Sequence, residues 1–408
     1  MKSIPTFALI AMMMLSKPPL ASSLSFEQAL QATLDSHPLV HGKRSEHAAA
    51  KAEQEGAEWQ RYPSASVEAN TDSDGDNVSV FRLDQPVWSG GRITAGIDAA
   101  GSRLNAAGTG IDEMRQELAL KVINASSEAL RLQARLVHAQ TSVGEHEKLL
   151  AMIERRVQQE VSPIADRRLA ESRLYSTVNE LSVTRQGMQN ALAQLGQLTG
   201  QIVTNIEPVS YSQAASANGL SNDLAQTIEQ ALAHSPLLRR LSFEALAANA
   251  DIDSKRAAYW PQLSLRLESS HGSVSDNRAL LVLQAQPGAG LSARSGVNAA
   301  LARREATRQT DAAARREIQQ QITLDWNEWT AARSRVETAE QARSTSAEVS
   351  ESYARQYTAG RKTWLDVLNA VREATQAELS LADAKSQMQA AVLRLKLHTG
   401  TLNLGGVE

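Results

Sequence analysis

The residues in this chain that could do chemistry are few and scattered. His37, His41 and His47 fall in one predicted helix, and histidines at i and i+4 share a helix face, as a zinc site requires. No carboxylate completes a ligand triad beside them, so they read as structural or solvated histidines. There is no cysteine, which excludes disulfides, thiolate metal ligands and a lipid-modified N-terminal cysteine. The Gly108-Thr109-Gly110 run has no strand before it and is not a phosphate loop. His146 lies in an apolar stripe and reads as a core histidine. The arginines 303, 304, 308, 315 and 316 read as a solvated helix face, or as one that lines a tunnel or touches a partner. No nucleophile stands with a base and an orienting group, so nothing points to an enzyme. No cofactor is implied. The formal net charge of −3 gives no electrostatic case for nucleic acid.

The remaining polar clusters lie at two breaks between long helices. The first is Glu160–Ser172 (EVSPIADRRLAES), and the second is Ala359–Ala370 (AGRKTWLDVLNA). Each carries one aspartate about three residues into the following helix, Asp166 and Asp366, where a carboxylate caps and complements a helix N-terminus. At Glu160 the first break has no glycine to match Gly360 of the second. The first turn is therefore expected to differ, running through Ser162-Pro163.

The elements that must position these breaks repeat. His37-Pro-Leu matches Ser235-Pro-Leu, and Tyr62-Pro matches Trp260-Pro. Gln85-Pro matches Gln286-Pro, and Ala165-Asp matches Leu365-Asp. Leu195-Gly-Gln-Leu-Thr-Gly matches Leu395-Lys-Leu-His-Thr-Gly. These landmarks keep their order at offsets of about 200 residues, which predicts a tandem duplication. Residues 1–23 read as a secretory signal: Lys2, an apolar stretch Thr6–Leu15 too short to span a bilayer, and a small-x-small site at Ala21–Ser23. Repeat one covers 24–206, with an opening helix 26–61, a β-hairpin 64–86, a long helix 92–160 and a helix 166–200. A polar linker, 207–220, follows. Repeat two covers 221–402, with an opening helix 224–259, a hairpin 262–287, a long helix 291–358 and a helix 364–400.

Two patterns carry this division. In the hairpins, Ala65, Val67 and Ala69 alternate with polar residues, as do Phe81 and Leu83, and Leu263, Leu265 and Leu267. Each strand has the length of a tilted membrane-spanning strand. The pattern equally suits exposed hairpins on a soluble protein. The long helix contains no proline between Pro86 and Pro163. Its apolar stripe runs Ile111, Met114, Leu118, Val122, Ala125, Ala129, Leu132, Leu136, Ala139, Val143, His146, Leu150, Ile153 and Val157. The mean step is about 3.5 residues, the coiled-coil period. Such a helix is about 100 Å long at ~1.5 Å per residue.

Four membrane strands cannot close a barrel alone, because an open sheet edge is not viable in lipid. Three copies supply twelve. Gln85–Arg92 (QPVWSGGR) would then join membrane to periplasm: Trp88 suits the interface, Gly90 and Gly91 let the chain turn and Arg92 starts the rod, with Pro86 and its repeat-two match Pro287 in the same joint. A plain glycine-rich strand-to-helix loop is the other reading.

On this order of elements, on QPVWSGGR and on Tyr357–Ala370 (YTAGRKTWLDVLNA), the chain resembles the TolC family of bacterial outer-membrane export ducts, over about Leu24 to Thr401. The resemblance implies a mainly α fold with a small β part: long antiparallel coiled-coil helices forming a periplasmic tunnel, and four membrane strands per chain in a 12-stranded β-barrel of a homotrimer. It implies a place in the outer membrane of a Gram-negative bacterium, in contact with outer-membrane lipid. It also implies docking to a periplasmic adaptor (a membrane fusion protein) and an inner-membrane ABC transporter or proton-driven pump. By position, Asp166, Tyr357 and Lys362 would hold the entrance closed. Asp366 matches one position of the family's carboxylate ring, while Asn369 stands where a second aspartate is expected, so cation attraction should be weaker. Ser162, Pro163, Gly360 and Arg361 would touch the adaptor. The tip Val161–Leu174 resembles ducts of type I secretion, which export a polypeptide such as an adhesin. Drug or metal-ion efflux, and a soluble periplasmic coiled-coil adaptor, remain as other readings.

Overall fold

The computed structural model describes residues 22–71, 77–272, 275–285, 288 and 292–402. The expected signal peptide up to residue 21, the two hairpin turns and Pro287 lie outside these residues.

The chain opens with strand β1 (Ser22–Leu24), helix α1 (Phe26–Ser36) and helix α2 (Pro38–Trp59). The sequence led us to expect one helix over 26–61. It is broken because a residue before proline is driven out of the helical region. His37 takes ψ 131° and ends α1, and its Nδ1 accepts from Leu39 N–H at 3.2 Å to cap α2. The second repeat breaks in the same way at Ser235-Pro236, between α6 (Leu224–His234) and α7 (Pro236–Arg256). A short 3-10 turn, Ala257–Tyr259, follows α7.

Strands β2 (Ser64–Thr71) and β3 (Asn77–Trp88) form the first hairpin, and β5 (Gln262–His271) and β6 (Asp276–Gln284) the second. They make one antiparallel sheet in the order β2-β3-β5-β6. The register leaves Val78, Val80, Leu280 and Val282 on one face and puts Val67 opposite Phe81, Leu83 opposite Leu267, and Leu265 opposite Leu281 on the second. Val67, Phe81, Leu265, Leu267, Leu281 and Leu283 are all exposed there. The other face carries ion pairs: Arg82 with Glu68 (2.7 Å) and Glu268 (3.1 Å), Arg278 with Glu268 (3.2 Å), and Arg266 with Asp84 (2.8 Å). A sheet apolar on its exposed outer face and charged on its inner one is built for lipid on one side and water on the other.

Helix α3 (Arg92–Gln158) and, in repeat two, α8 (Ser292–Thr358) each run 67 residues, about 100 Å. Every member of the predicted α3 stripe is buried or half-buried. Helices α4 (Ile164–Thr199) and α9 (Trp364–His398) return antiparallel to them. Among the described residues no helix is long and apolar enough to cross a membrane.

The stretch 207–220 is more than the polar linker expected. It holds helix α5 (Pro208–Ala214), whose Tyr211 is fully buried and meets Phe26 edge-on at 5.2 Å. Just before it, β4 (Val203–Ile206) pairs parallel with β1. Together they form a waist half-way down the rods. Beside it Arg394 donates to the buried Asp325 (2.6 Å) and to Glu328 (2.7 Å), and Lys396 donates to the Ala214 carbonyl (3.0 Å).

Candidate functional site: the helix tips and the membrane joint

At the far end of the rods, α3 and α8 stop in the same turn. Glu160 N–H donates to Val157 O (3.0 Å) and Val161 N–H to Arg156 O (2.9 Å). Gly360 N–H donates to Tyr357 O (3.0 Å) and Arg361 N–H to Gln356 O (2.9 Å). Both are Schellman caps, which need a left-handed residue. Gly360 has φ +74°, and Glu160 adopts φ +58°. The expectation that the first tip turns differently through Ser162-Pro163 is therefore wrong. The hydrogen bonds of the turn outweigh the steric cost of a β-carbon there.

The return helices start unequally. Thr363 and Asp366 form a reciprocal capping box at α9: Asp366 N–H donates to Thr363 Oγ1 (3.2 Å), and Thr363 N–H and Oγ1–H donate to Asp366 Oδ2 (3.0 and 2.8 Å). These bonds, with the Lys362 ammonium nearby, hold the Asp366 carboxyl below its usual range. At α4 the cap position is Pro163, which makes no side-chain cap bond. Asp166 is half-buried in that first turn.

Between the two tips lies an apolar cluster: Leu149, Ile153, Ala170, Tyr357, Trp364, Val367, Leu368 and Val371. The Tyr357 ring lies 5.8 Å from that of Trp364, and the Arg156 guanidinium sits 4.7 Å over it. The Tyr357 hydroxyl is buried without a hydrogen-bond partner. Lys362 places its ammonium 4.0 Å over the Tyr353 ring. Among the described residues, no hydrogen bond or ion pair within one chain joins Asp166 to Tyr357 or Lys362. Asn369, Gly360, Arg361 and Pro163 are exposed, and Ser162 is half-buried. Sequence reading missed Arg156, Tyr353 and Trp364. With only 4% aromatic residues in the chain, three aromatics within a dozen positions of Gly360 were the available signal.

At the opposite end, β3 passes into α3 through Gly90 (φ +61°) and Gly91 (φ +87°). A β-carbon on Gly90 would stand 2.9 Å from Trp260 Cβ, so glycine is required by contact as well as by φ. Ser89 Oγ accepts from Ile93 N–H in the first turn of the rod at 3.3 Å. Pro86 lies beside a register shift in the β3–β5 ladder. Trp59, Tyr62, Trp88, Tyr259 and Trp260 are all exposed at this end of the sheet. Exposed aromatics so placed are of the kind found in the girdle of a membrane–water interface; the sequence had singled out only Trp88.

Of the predicted histidines, His37 caps α2 through Nδ1, and among the described residues no cluster of histidine and carboxylate could hold a metal ion. His146 is buried, its Nδ1–H donating to Ser142 O at 2.8 Å.

The family model described as "Outer membrane efflux protein" matches residues 29–201 and 227–401, one block per repeat. The chain belongs to the outer membrane efflux protein family. Channels of this family sit in the outer membrane, extend into the periplasm, and are transport ducts rather than enzymes. They are homotrimers that work with adaptors and inner-membrane pumps. No curated protein sequence matches the chain. Solved structures agree on the fold. The outer membrane protein VceC of Vibrio cholerae has a TM-score of 0.78 at 17% identity, covering 92% of this chain and 96% of its own. A membrane protein of Pseudomonas aeruginosa has 0.75 at 19%, covering 92% of each. The CmeC channel of Campylobacter jejuni has 0.75 at 13%, covering 93% and 87%.

Proposed function

We propose that this chain, as a homotrimer, forms the exit duct of a tripartite export machine, and that its cargo is a polypeptide such as an adhesin, delivered by type I secretion. The observation that carries the duct is the amphipathic four-stranded sheet continued by 100 Å rods. It pairs a wall for lipid with a conduit for the periplasm. The polypeptide cargo rests on the likeness of the Val161–Leu174 tip to ducts of that branch. Small-molecule or metal-ion efflux is the second reading, favoured by the description of the family.

The tips would form the periplasmic entrance. Asp166 with its uncapped helix start, the unpartnered Tyr357 hydroxyl and the nearby Lys362 are groups with bonding capacity left over, and closure of the ring would bring them together between copies. Asp366 is committed to its cap, so its charge would face the entrance as part of a fixed turn, with Asn369 neutral one helical turn on. Ser162, Pro163, Gly360 and Arg361 would meet the adaptor.

Two experiments test this. Disrupting the gene should remove a large polypeptide from the culture medium and leave susceptibility to drugs and metal ions unchanged; the opposite pattern supports efflux. In planar bilayers, Asp166→Ala or Lys362→Ala should raise single-channel conductance. Unchanged conductance in both would reject the tip network.

A further inference from the structure

The chain carries inside itself one example of the junction it must make with its next copy. We infer that the junction between β6 and α8 of one copy and β2 and α2 of the next reproduces the internal junction between β3 and α3 and β5 and α7, residue for residue. This rests on the trimeric reading above and fixes its register.

The β2 and β6 strands are the outer edges of the sheet, with their ladder bonds unmade. In lipid such edges must be paired. The internal junction joins a strand that leads into a long rod (β3, then α3) to a strand that follows a short helix (β5, after α7). The free edges are the same two kinds of strand: β6 leads into α8, and β2 follows α2. The hairpin registers fix the correspondence. Ser64 pairs with Asp84 and Gln262 pairs with Gln284, so within the paired strands Ser64 corresponds to Gln262 and Asp84 to Gln284, one residue short of the offset between the Gln85-Pro and Gln286-Pro pairs that follow. Within the junction Arg82 pairs with Glu268, and Leu83 with Leu267. Carried across, Val282 stands opposite Asn70 of the next copy, and Leu283 opposite its Ala69. Both Leu283 and Ala69 lie on the apolar face, as register demands.

The helices agree independently. Helix α7, which packs against both α3 and α8, buries Pro236, Leu238, Leu241, Ala247 and Ile252; α2, its counterpart, packs against α3 and buries only Val40. The internal junction is tied by Arg103 and Asp251 at 2.6 Å. Their counterparts are Arg303 and Glu53, the same charge types at the same places in two rods of equal length. Arg303 and Glu53 are both exposed, and neither has an ion pair among the described residues. The other two ion pairs of that junction, Arg240–Glu113 and Arg239–Asp112, do not recur in charge. The arginine-rich start of α8 thus includes one arginine with a defined partner, Glu53 of the next copy.

The absence of native cysteine makes the register directly measurable. Ala69→Cys is combined in turn with Leu281→Cys, Leu283→Cys and Ala285→Cys, and isolated outer membranes are treated with a short bis-thiosulfonate reagent. Directly opposed Cβ atoms lie roughly 4.5–5.5 Å apart and diagonal neighbours roughly 7–8 Å. Within one chain, β2 and β6 are separated by two strands, roughly 14 Å, so any link is between copies. Covalent trimers should form several-fold more with Leu283→Cys than with the other two. A maximum at 281 or 285, or no link in a particle that is trimeric by mass, overturns the register. A monomer overturns the trimeric reading itself. In parallel, Arg303→Glu and Glu53→Arg should each lower the temperature at which the detergent-solubilised trimer dissociates, and the double exchange should restore it. Additive losses in the double variant would reject the Arg303–Glu53 pair.

Discussion

Replacing Glu160 with glycine should stabilise the first tip. The left-handed conformation costs a residue with a β-carbon roughly 1–2 kcal/mol, and Glu160 holds it at φ +58°. Glycine removes that cost but adds freedom to the unfolded chain, which returns roughly 0.4–1 kcal/mol. The balance is a gain of about 0.8 kcal/mol, or roughly fourfold in a local opening equilibrium, taking RT as about 0.6 kcal/mol. Gly360→Ala is the mirror experiment. No atom lies within 4 Å of the added β-carbon, so the backbone alone is tested, and a loss of similar size is expected. Global melting suits neither, because large membrane assemblies unfold irreversibly. Hydrogen exchange at single amides suits both. The Val161 amide, bonded to Arg156 O, should exchange about fourfold more slowly in Glu160→Gly. The Arg361 amide, bonded to Gln356 O, should exchange about fourfold faster in Gly360→Ala. Faster exchange at Val161 in Glu160→Gly would refute the reasoning, because it would mean the glutamate side chain contributes more than its backbone costs.

Two further outcomes concern the waist. Arg394→Leu leaves Asp325, 2% exposed, without its cation, and should cost about 3–5 kcal/mol, read as loss of folded protein in outer-membrane fractions; Asp325→Leu with Arg394→Leu should recover most of it. Burial lowers the pKa of His398 below the ordinary 6.5, with Asp325 opposing and Arg394 adding to that shift. The unfolded chain therefore takes up the proton first, and stability should fall as pH drops below about 6.5. Comparing thermal inactivation at neutral and mildly acid pH for the wild type and His398→Gln checks this, the variant being the less pH-dependent.

Much of the fold could be read in advance because duplication kept the punctuation: the prolines, the Thr-Gly ends and the absence of proline through both rods. The strand faces were readable because a two-residue period admits one arrangement once a side is apolar. What failed had local causes. The His37-Pro38 and Ser235-Pro236 pairs served as markers of the repeat, yet a proline at a first helical position starts a new helix as readily as it ends one. Helix α5 has seven residues, too few for periodicity to show, and it exists because Tyr211 fills the waist. Glu160 lies beyond sequence propensity altogether, since propensity alone places glycine there. The tip residues were found by position, but their partners were not. Arg156 over Tyr357 is a contact made by packing two helix pairs together, and Lys362 over Tyr353 one made by the chain folding back on the end of its own helix.

The two repeats differ most where they end, and the differences have one sign. The second tip has a glycine in its left-handed position, a threonine–aspartate capping box worth about 1 kcal/mol, and Trp364 buried in the cluster. The first has a glutamate held left-handed, a proline where the cap should be, and the exposed Ile164 in place of Trp364. Each disadvantage falls on the α3–α4 turn. Local opening follows local stability, so the first tip is expected to yield before the second. If the tips form the proposed entrance, its ring would alternate three firm turns with three yielding ones, and a partner widening it would have the least work to do at Glu160–Asp166, where Glu160→Gly would make opening harder.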